Sequence, residues 1–140
     1  MVRSPPMDVF AYGTLMFASV WERVAGPAPA SVPATLWGYE RRGVHGEDYP
    51  VVVRGAPSAT VSGRVFRDVD DGLLARLDAY EGPCYRRVRE PLRFENETAA
   101  AWVYVLRERF RSMATTTDWD PETFKANRLA AYLATINAGG

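Results

Sequence analysis

One cysteine, Cys84, and one histidine, His45, are all the soft ligand chemistry in the 140 residues. An internal disulfide framework is excluded, and a zinc site has no Cys/His set to build on, so no metal or other cofactor is expected. Net charge is missing as well. Lys and Arg total 17, as do Asp and Glu, so no surplus recruits nucleic acid or an anionic membrane. Arginines cluster at Arg86, Arg87, Arg89 and Arg93 and again at Arg107, Arg109 and Arg111, but their alternation along expected strands reads as solvated sheet faces. No apolar run approaches membrane-spanning length, and Met1 to Pro6 carries one positive charge with no apolar segment behind it. Neither a membrane span nor export is indicated, and a single unpaired cysteine fits the cytoplasm. The sequence is silent on oligomeric state.

What is present is a chain with 47% apolar residues, of a length that buries a core without staples. A single domain over 1–140 is expected, with flexible ends at about 1–6 and 138–140. The most informative stretch is Leu77-Asp78-Ala79-Tyr80-Glu81-Gly82-Pro83-Cys84-Tyr85. Leu73, Leu77 and Tyr80 recur with helical spacing, Asp70 or Asp71 can cap the start, and Gly82-Pro83 must end the helix at or just before Glu81. A carboxylate there faces the negative end of the helix dipole, and burial disfavours its charge further. Both effects raise the pKa of Glu81.

Asp8 to Tyr12 reads as a strand, Tyr12-Gly13-Thr14-Leu15 as a turn, and Val20, Trp21 and Val24 as a short helix stopped by Gly26-Pro27. A strand, glycine turn and helix in that order leave backbone N–H groups free for a carboxylate or phosphate. Pro27 to Pro33 reads as a linker, Ala34 to Tyr39 and Tyr49 to Arg54 as strands, and the loop between them carries His45 without triad or metal partners. Thr60 to Val69 alternates, with Gly63 marking a bend or leaving room for something bound. Strands over about Tyr85–Phe94 and Ala99–Arg107 flank a turn at Glu95-Asn96-Glu97. Six short strands and two small helices suggest a closed or nearly closed sheet. Asp120 as N-cap, Pro121 at N1 and a Trp119–Phe124 staple open a final helix. Its stripe of Ala126, Leu129, Ala130, Leu133 and Ile136 marks it as a support without chemistry of its own.

With these pieces in order, the chain resembles the gamma-glutamylcyclotransferase-like family, in its AIG2-like branch. The carriers are Val9-Phe10-Ala11-Tyr12-Gly13-Thr14-Leu15, Leu36-Trp37-Gly38-Tyr39, Tyr49-Pro50, Val61-Ser62-Gly63-Arg64-Val65, the stretch from Leu77 to Arg87, and Trp102-Val103-Tyr104-Val105. Trp119 with Phe124-Lys125 is similar to the closing helix of that branch. The resemblance implies an α+β fold, a small mixed β-barrel with flanking helices and a cavity at one end. It also implies a small-molecule γ-glutamyl substrate that loses its amine as the glutamyl part closes to 5-oxoproline. In that reading the Tyr12, Gly13, Thr14 and Leu15 turn holds substrate through backbone groups, and Glu81 is the acid/base. Tyr104 faces the cavity, and Tyr85 closes the segment after Glu81. One departure follows Tyr49-Pro50, where the family often has a small residue and this chain has Val51, which reshapes the cavity.

Two other functions remain open from the residues. One is a non-catalytic module that binds a small amino-acid derivative in the same cavity. The other is an amide hydrolase dependent on Cys84, which needs a base or positive surroundings to supply a thiolate.

Overall fold

The computed structural model describes residues 7–139. The expected loose end at 1–6 lies outside the described residues, as does residue 140, while the backbone of 138 and 139 continues the final helix. Strands β1 (Met7–Ala11), β2 (Ser31–Trp37), β3 (Tyr39–Gly43), β4 (Pro50–Arg54), β5 (Thr60–Val69), β6 (Tyr85–Phe94) and β7 (Glu97–Leu106) alternate with helices α1 (Ala18–Val24), α2 (Asp71–Glu81), α3 (Pro121–Asn127) and α4 (Leu129–Gly139). Five strands close a barrel in the order β1-β5-β2-β6-β7. It is mixed: β1 and β7 pair in parallel, and every other barrel pair is antiparallel. Closure satisfies the edges that a small open sheet would leave bare.

The expected set of six strands differs from this between Pro27 and Tyr39. Positive φ at Gly38 (+82°) breaks the run from Ala34 to Tyr39 in two, and β3 pairs with β4 as a separate two-stranded sheet outside the barrel. The stretch from Pro27 to Pro33 is likewise not all linker, because β2 begins at Ser31. Pro33 is tolerated there because β2 pairs with β6 only at Thr35 and Leu36, so no ladder bond to β6 is needed at the proline.

Alternation along the strands builds two cores, since successive side chains point to opposite faces. Phe10, Leu36, Val61, Val65, Leu92 and Val103 fill the barrel. From the other face, Val9, Ala11, Phe66, Val69 and Leu106 meet Val20 and Trp21 of α1 and Leu74 and Leu77 of α2. Gly63 sits where β1 crosses β5: a Cβ there would lie 2.3 Å from the Ala11 carbonyl and 2.7 Å from the Phe10 ring. The space it leaves is filled by the neighbouring strand and not by a ligand. The hairpin turn between β6 and β7 is the two residues Glu95 and Asn96, both at positive φ (52° and 61°), a twist that suits a tight hairpin.

The final helix is divided. Asp120 caps α3 by accepting from the Glu122 amide at 3.2 Å, and Trp119 packs on Phe124 with ring centroids 5.3 Å apart, as expected. Arg128 then leaves helical geometry, and α4 begins one residue later. Ala126 and Ala130 of the expected stripe are exposed, while Leu129, Leu133 and Ile136 pack on the body.

Candidate functional site

Local rules bring Glu81 to its place. The Asp70 side chain accepts from the Leu73 amide at 2.8 Å and opens α2; buried Leu74 and Leu77 seat it; Gly82 ends it, its amide bonding back to Asp78 at 3.1 Å. The C-terminal glycine is not in the left-handed helical region that a helix stop usually takes. It lies at φ +82°, ψ −173°, a region essentially reserved for glycine. The chain therefore departs sharply at Gly82, and Glu81 is left, half-buried, as the last residue of the helix.

There it lines a cavity of about 150 Å³. The cavity gathers all of the expected site residues: Glu81, the turn Tyr12, Gly13, Thr14 and Leu15, and both Tyr85 and Tyr104. Burial, with the nearby Asp78 carboxylate adding to it, pushes Glu81 up to about 8. The glutamate is therefore mostly protonated at neutral pH.

The turn has the form expected, a short 3-10 turn over Thr14–Met16 after β1. Met16 and Phe17 donate back to Gly13 and Thr14, while no protein acceptor is found among the described residues for the amides of Gly13, Thr14 and Leu15. Gly13 is required by a contact: a Cβ would stand 2.7 Å from the Pro50 ring, so the Tyr12-Gly13 and Tyr49-Pro50 motifs touch one another. Arg41 fixes the turn from behind, donating to the Tyr12 carbonyl at 3.1 Å while paired with Asp118 at 2.8 Å. Among the described residues, no Arg, Lys or His lines the cavity. An anionic part of a ligand would be met there by amides and hydroxyls alone.

Six of the seven tyrosines line this cavity. Tyr12 donates to the Tyr104 carbonyl at 2.6 Å and Tyr85 to the Pro50 carbonyl at 3.0 Å, so both hydroxyls are engaged by backbone and both residues act as walls. Burial pushes both phenols up, and their proximity to other ionisable groups, Glu81 included, adds to it. Tyr104 differs, its hydroxyl donating to Asp78 at 2.6 Å. Arg87, directly opposite Tyr104 in the β6–β7 register, grips the same carboxylate at 2.9 and 3.2 Å. One rung of the hairpin is thereby tied to the last turn of α2.

Sequence reasoning missed Tyr49, Tyr80 and Tyr132 as cavity residues, and Asp78 and Arg87 as partners of Tyr104. Tyr80 had a signal in its position beside Glu81, and Tyr49 in its motif. Tyr132 had none. It lies on the helix expected to carry no chemistry, yet it reaches the cavity, where its hydroxyl meets that of Tyr80, which in turn meets Thr14 Oγ1 at 2.7 Å. Val51 does not reshape the cavity: its side chain is fully buried in the core, and Tyr49 and Pro50 form the wall. Cys84 is half-buried and is not among the cavity's lining residues, and no cluster of potential metal ligands occurs among the described residues. Among the described residues, no helix is long and apolar enough to cross a membrane.

Comparison with known proteins agrees with this architecture. Residues 9–121 match the family described as gamma-glutamyl cyclotransferase, AIG2-like. Protein AIG2 C of Arabidopsis thaliana is 30% identical over 142 residues, covering 97% of this chain and 84% of that protein. A solution structure of an Arabidopsis thaliana protein superposes with a TM-score of 0.70 at 29% identity, covering 92% of this chain and 87% of the other. The crystal structure of an AIG2-like protein of Mus musculus shares the fold, with a TM-score of 0.65 at 17% identity over 84% of this chain and 90% of that one. On its sequence and its barrel alike, the chain belongs to the gamma-glutamyl cyclotransferase, AIG2-like family.

Proposed function

We propose that this protein is a γ-glutamyl cyclotransferase that releases an amine from a γ-glutamyl compound and forms 5-oxoproline, with Glu81 as the general acid/base. The observation that carries this reading is a carboxyl group with a pKa of about 8 in a cavity beside a turn with free amides.

A γ-glutamyl amide holds its own nucleophile. The α-amino nitrogen is one five-membered ring away from the γ-carbonyl carbon, so a cavity that keeps the chain folded supplies the proximity. The new bond joins that nitrogen to the γ-carbon, and the bond to the departing amine nitrogen breaks. The α-ammonium nitrogen gives up two protons on becoming the lactam N–H, one before it attacks and one as the tetrahedral adduct collapses. One is returned to the departing nitrogen to release it as an amine, and the second converts that amine to its ammonium form. A single carboxyl group serves these transfers, and such help contributes about 10² to 10⁴ in rate. The amides of Gly13, Thr14 and Leu15 are the candidate donors to the carboxylate or carbonyl oxygens of the substrate. Neither a protein nucleophile nor water enters the bond changes, which is why Cys84 has no part in this scheme.

The test is incubation of wild type and Glu81→Gln with a panel of γ-glutamyl dipeptides and γ-glutamylamines, reading 5-oxoproline and glutamate together by mass spectrometry. Product 5-oxoproline from wild type alone is expected, and the panel then names the leaving group. Glutamate in its place would make the protein a hydrolase. Binding without either product, retained in Glu81→Gln, would make it a binding module.

A further inference from the structure

A second recess, distinct from the reactive cavity, lies between the β3–β4 sheet and the end of the β6–β7 hairpin. Its volume of about 510 Å³ exceeds that of the reactive cavity and lies in the range of small-molecule sites. Tyr39, Val53 and Leu106 are buried and form an apolar floor, and Arg54, Arg86, Arg107 and Arg109 are exposed around it. The sequence had assigned Arg107 and Arg109 to a solvated sheet face. They instead follow the end of β7, where the chain turns and brings them beside Arg54 and Arg86.

In a chain with as many acids as bases, these arginines stand outside the ion pairs. Arg41, Arg42, Arg67, Arg87 and Arg128 stand in ion pairs at 2.8 to 3.1 Å, whereas none of the four groove arginines forms an ion pair among the described residues. Arg23, Arg64, Arg76, Arg89 and Arg93 share that state, and what sets the four apart is that they line one recess. Glu108 is the one acid in the lining, and Glu90 lies nearby, accepting from the Tyr39 hydroxyl at 3.1 Å. Bases outnumber acids. Three of the four are also braced without spending their forks on carboxylates. Arg54 stacks 4.6 Å over Tyr39, Arg109 lies 4.9 Å over Phe110, and Arg107 donates its Nε to the Pro83 carbonyl at 3.0 Å. A guanidinium held by its flat face or one edge keeps donors for a ligand and loses less freedom when it binds one.

We infer that this arginine-rimmed groove is a binding site for a small organic phosphate bearing more than one negative charge, such as a nucleoside diphosphate. Tetrahedral phosphate groups offer several acceptor oxygens to the guanidinium groups that line the groove, and the apolar floor accepts the organic part. The bounded volume and the zero net charge of the chain speak against an extended polyanion. Arg107 also lines the shallow recess shared by Asp78, Arg87, Tyr85 and Tyr104, so an occupied groove sits next to the outer wall of the reactive cavity.

The experiment is calorimetric titration with ADP, pyrophosphate, orthophosphate and citrate at low salt and at ~150 mM, paired with amide chemical-shift mapping of the ADP complex. Saturable ADP binding is expected at both salts, stronger than orthophosphate, with shifts around Arg54, Arg86 and residues 105–109. Arg86→Gln and Arg109→Gln, at exposed positions and thus keeping the thermal midpoint, should each weaken it about tenfold, the loss of a charge-assisted hydrogen bond. Absence of saturable binding, binding unchanged in both variants, shifts elsewhere on the molecule, or citrate binding as tightly as ADP would overturn the assignment. None of these readings involves turnover, so they stand or fall apart from the cyclotransferase proposal.

Discussion

Asp78 and Glu81 lie three residues apart on the last turn of α2, one outside the cavity held by Arg87 and Tyr104, the other inside it. The Asp78 carboxylate sits in an ion pair with Arg87, and its field adds to burial in making ionisation of Glu81 harder.

Glu81→Gln should change how stability depends on pH. Because the folded-state pKa is raised from near 4.5 to about 8, the native state binds the extra proton across that window. The sign follows: the contribution of Glu81 is fully favourable below the unfolded pKa and is lost as pH rises through about 8. Urea denaturation at pH 5 and pH 9 should show wild type losing stability relative to Glu81→Gln by on the order of 4 kcal/mol. Parallel pH profiles for the two proteins would mean that the carboxyl group is solvated.

Asp78→Asn should move one limb of the pH–rate profile. The proposed reaction needs one proton shared between Glu81 and the substrate amine, so kcat/KM should be bell-shaped, with one limb set by Glu81 and the other by the substrate. Removing the neighbouring charge lowers the pKa of Glu81, and that limb moves to lower pH while the substrate limb stays fixed. A variant that loses rate equally at all pH values would show that Asp78 acts only through packing.

Gly82→Ala should destabilise the fold by about 1–3 kcal/mol, the cost of a β-carbon in that backbone region. An added Cβ meets nothing within 4 Å, so the loss is conformational and not steric. Relief of the strain by rotating the peptide would swing Glu81 as well. Chemical denaturation together with kcat checks both.

Tyr132→Phe removes the hydroxyl that ties α4 to Tyr80 and, through it, to Thr14. A loss of about 0.5–1.5 kcal/mol is expected, with faster hydrogen exchange along α4 and at the Thr14 turn. Exchange that accelerates in α4 alone would show that the hydroxyls are not coupled.

Most of the barrel was legible because period-two alternation and turn residues act locally: β5, β6 and the cap of α2 lie where the residues indicate. Glu81 was legible for the same reason, since a helix stop and its dipole are properties of adjacent residues. The separate β3–β4 sheet was not, because the break at Gly38 depends on where the neighbouring strands run. Nor was Tyr132 or the Asp78–Arg87–Tyr104 contact, whose partners are brought together only by barrel closure and by the packing of α4. The arginines after β7 were misread because strand alternation was extended past the point where pairing ends.

The cavity draws its walls from Phe10 at one end of the sequence to Tyr132 at the other. During synthesis, then, a ribosome must extrude nearly all of that span before any ligand can be held. A chain that ends before α4 carries Glu81 and the glycine turn but lacks the Tyr132 wall, so the cavity is completed only once α4 has docked.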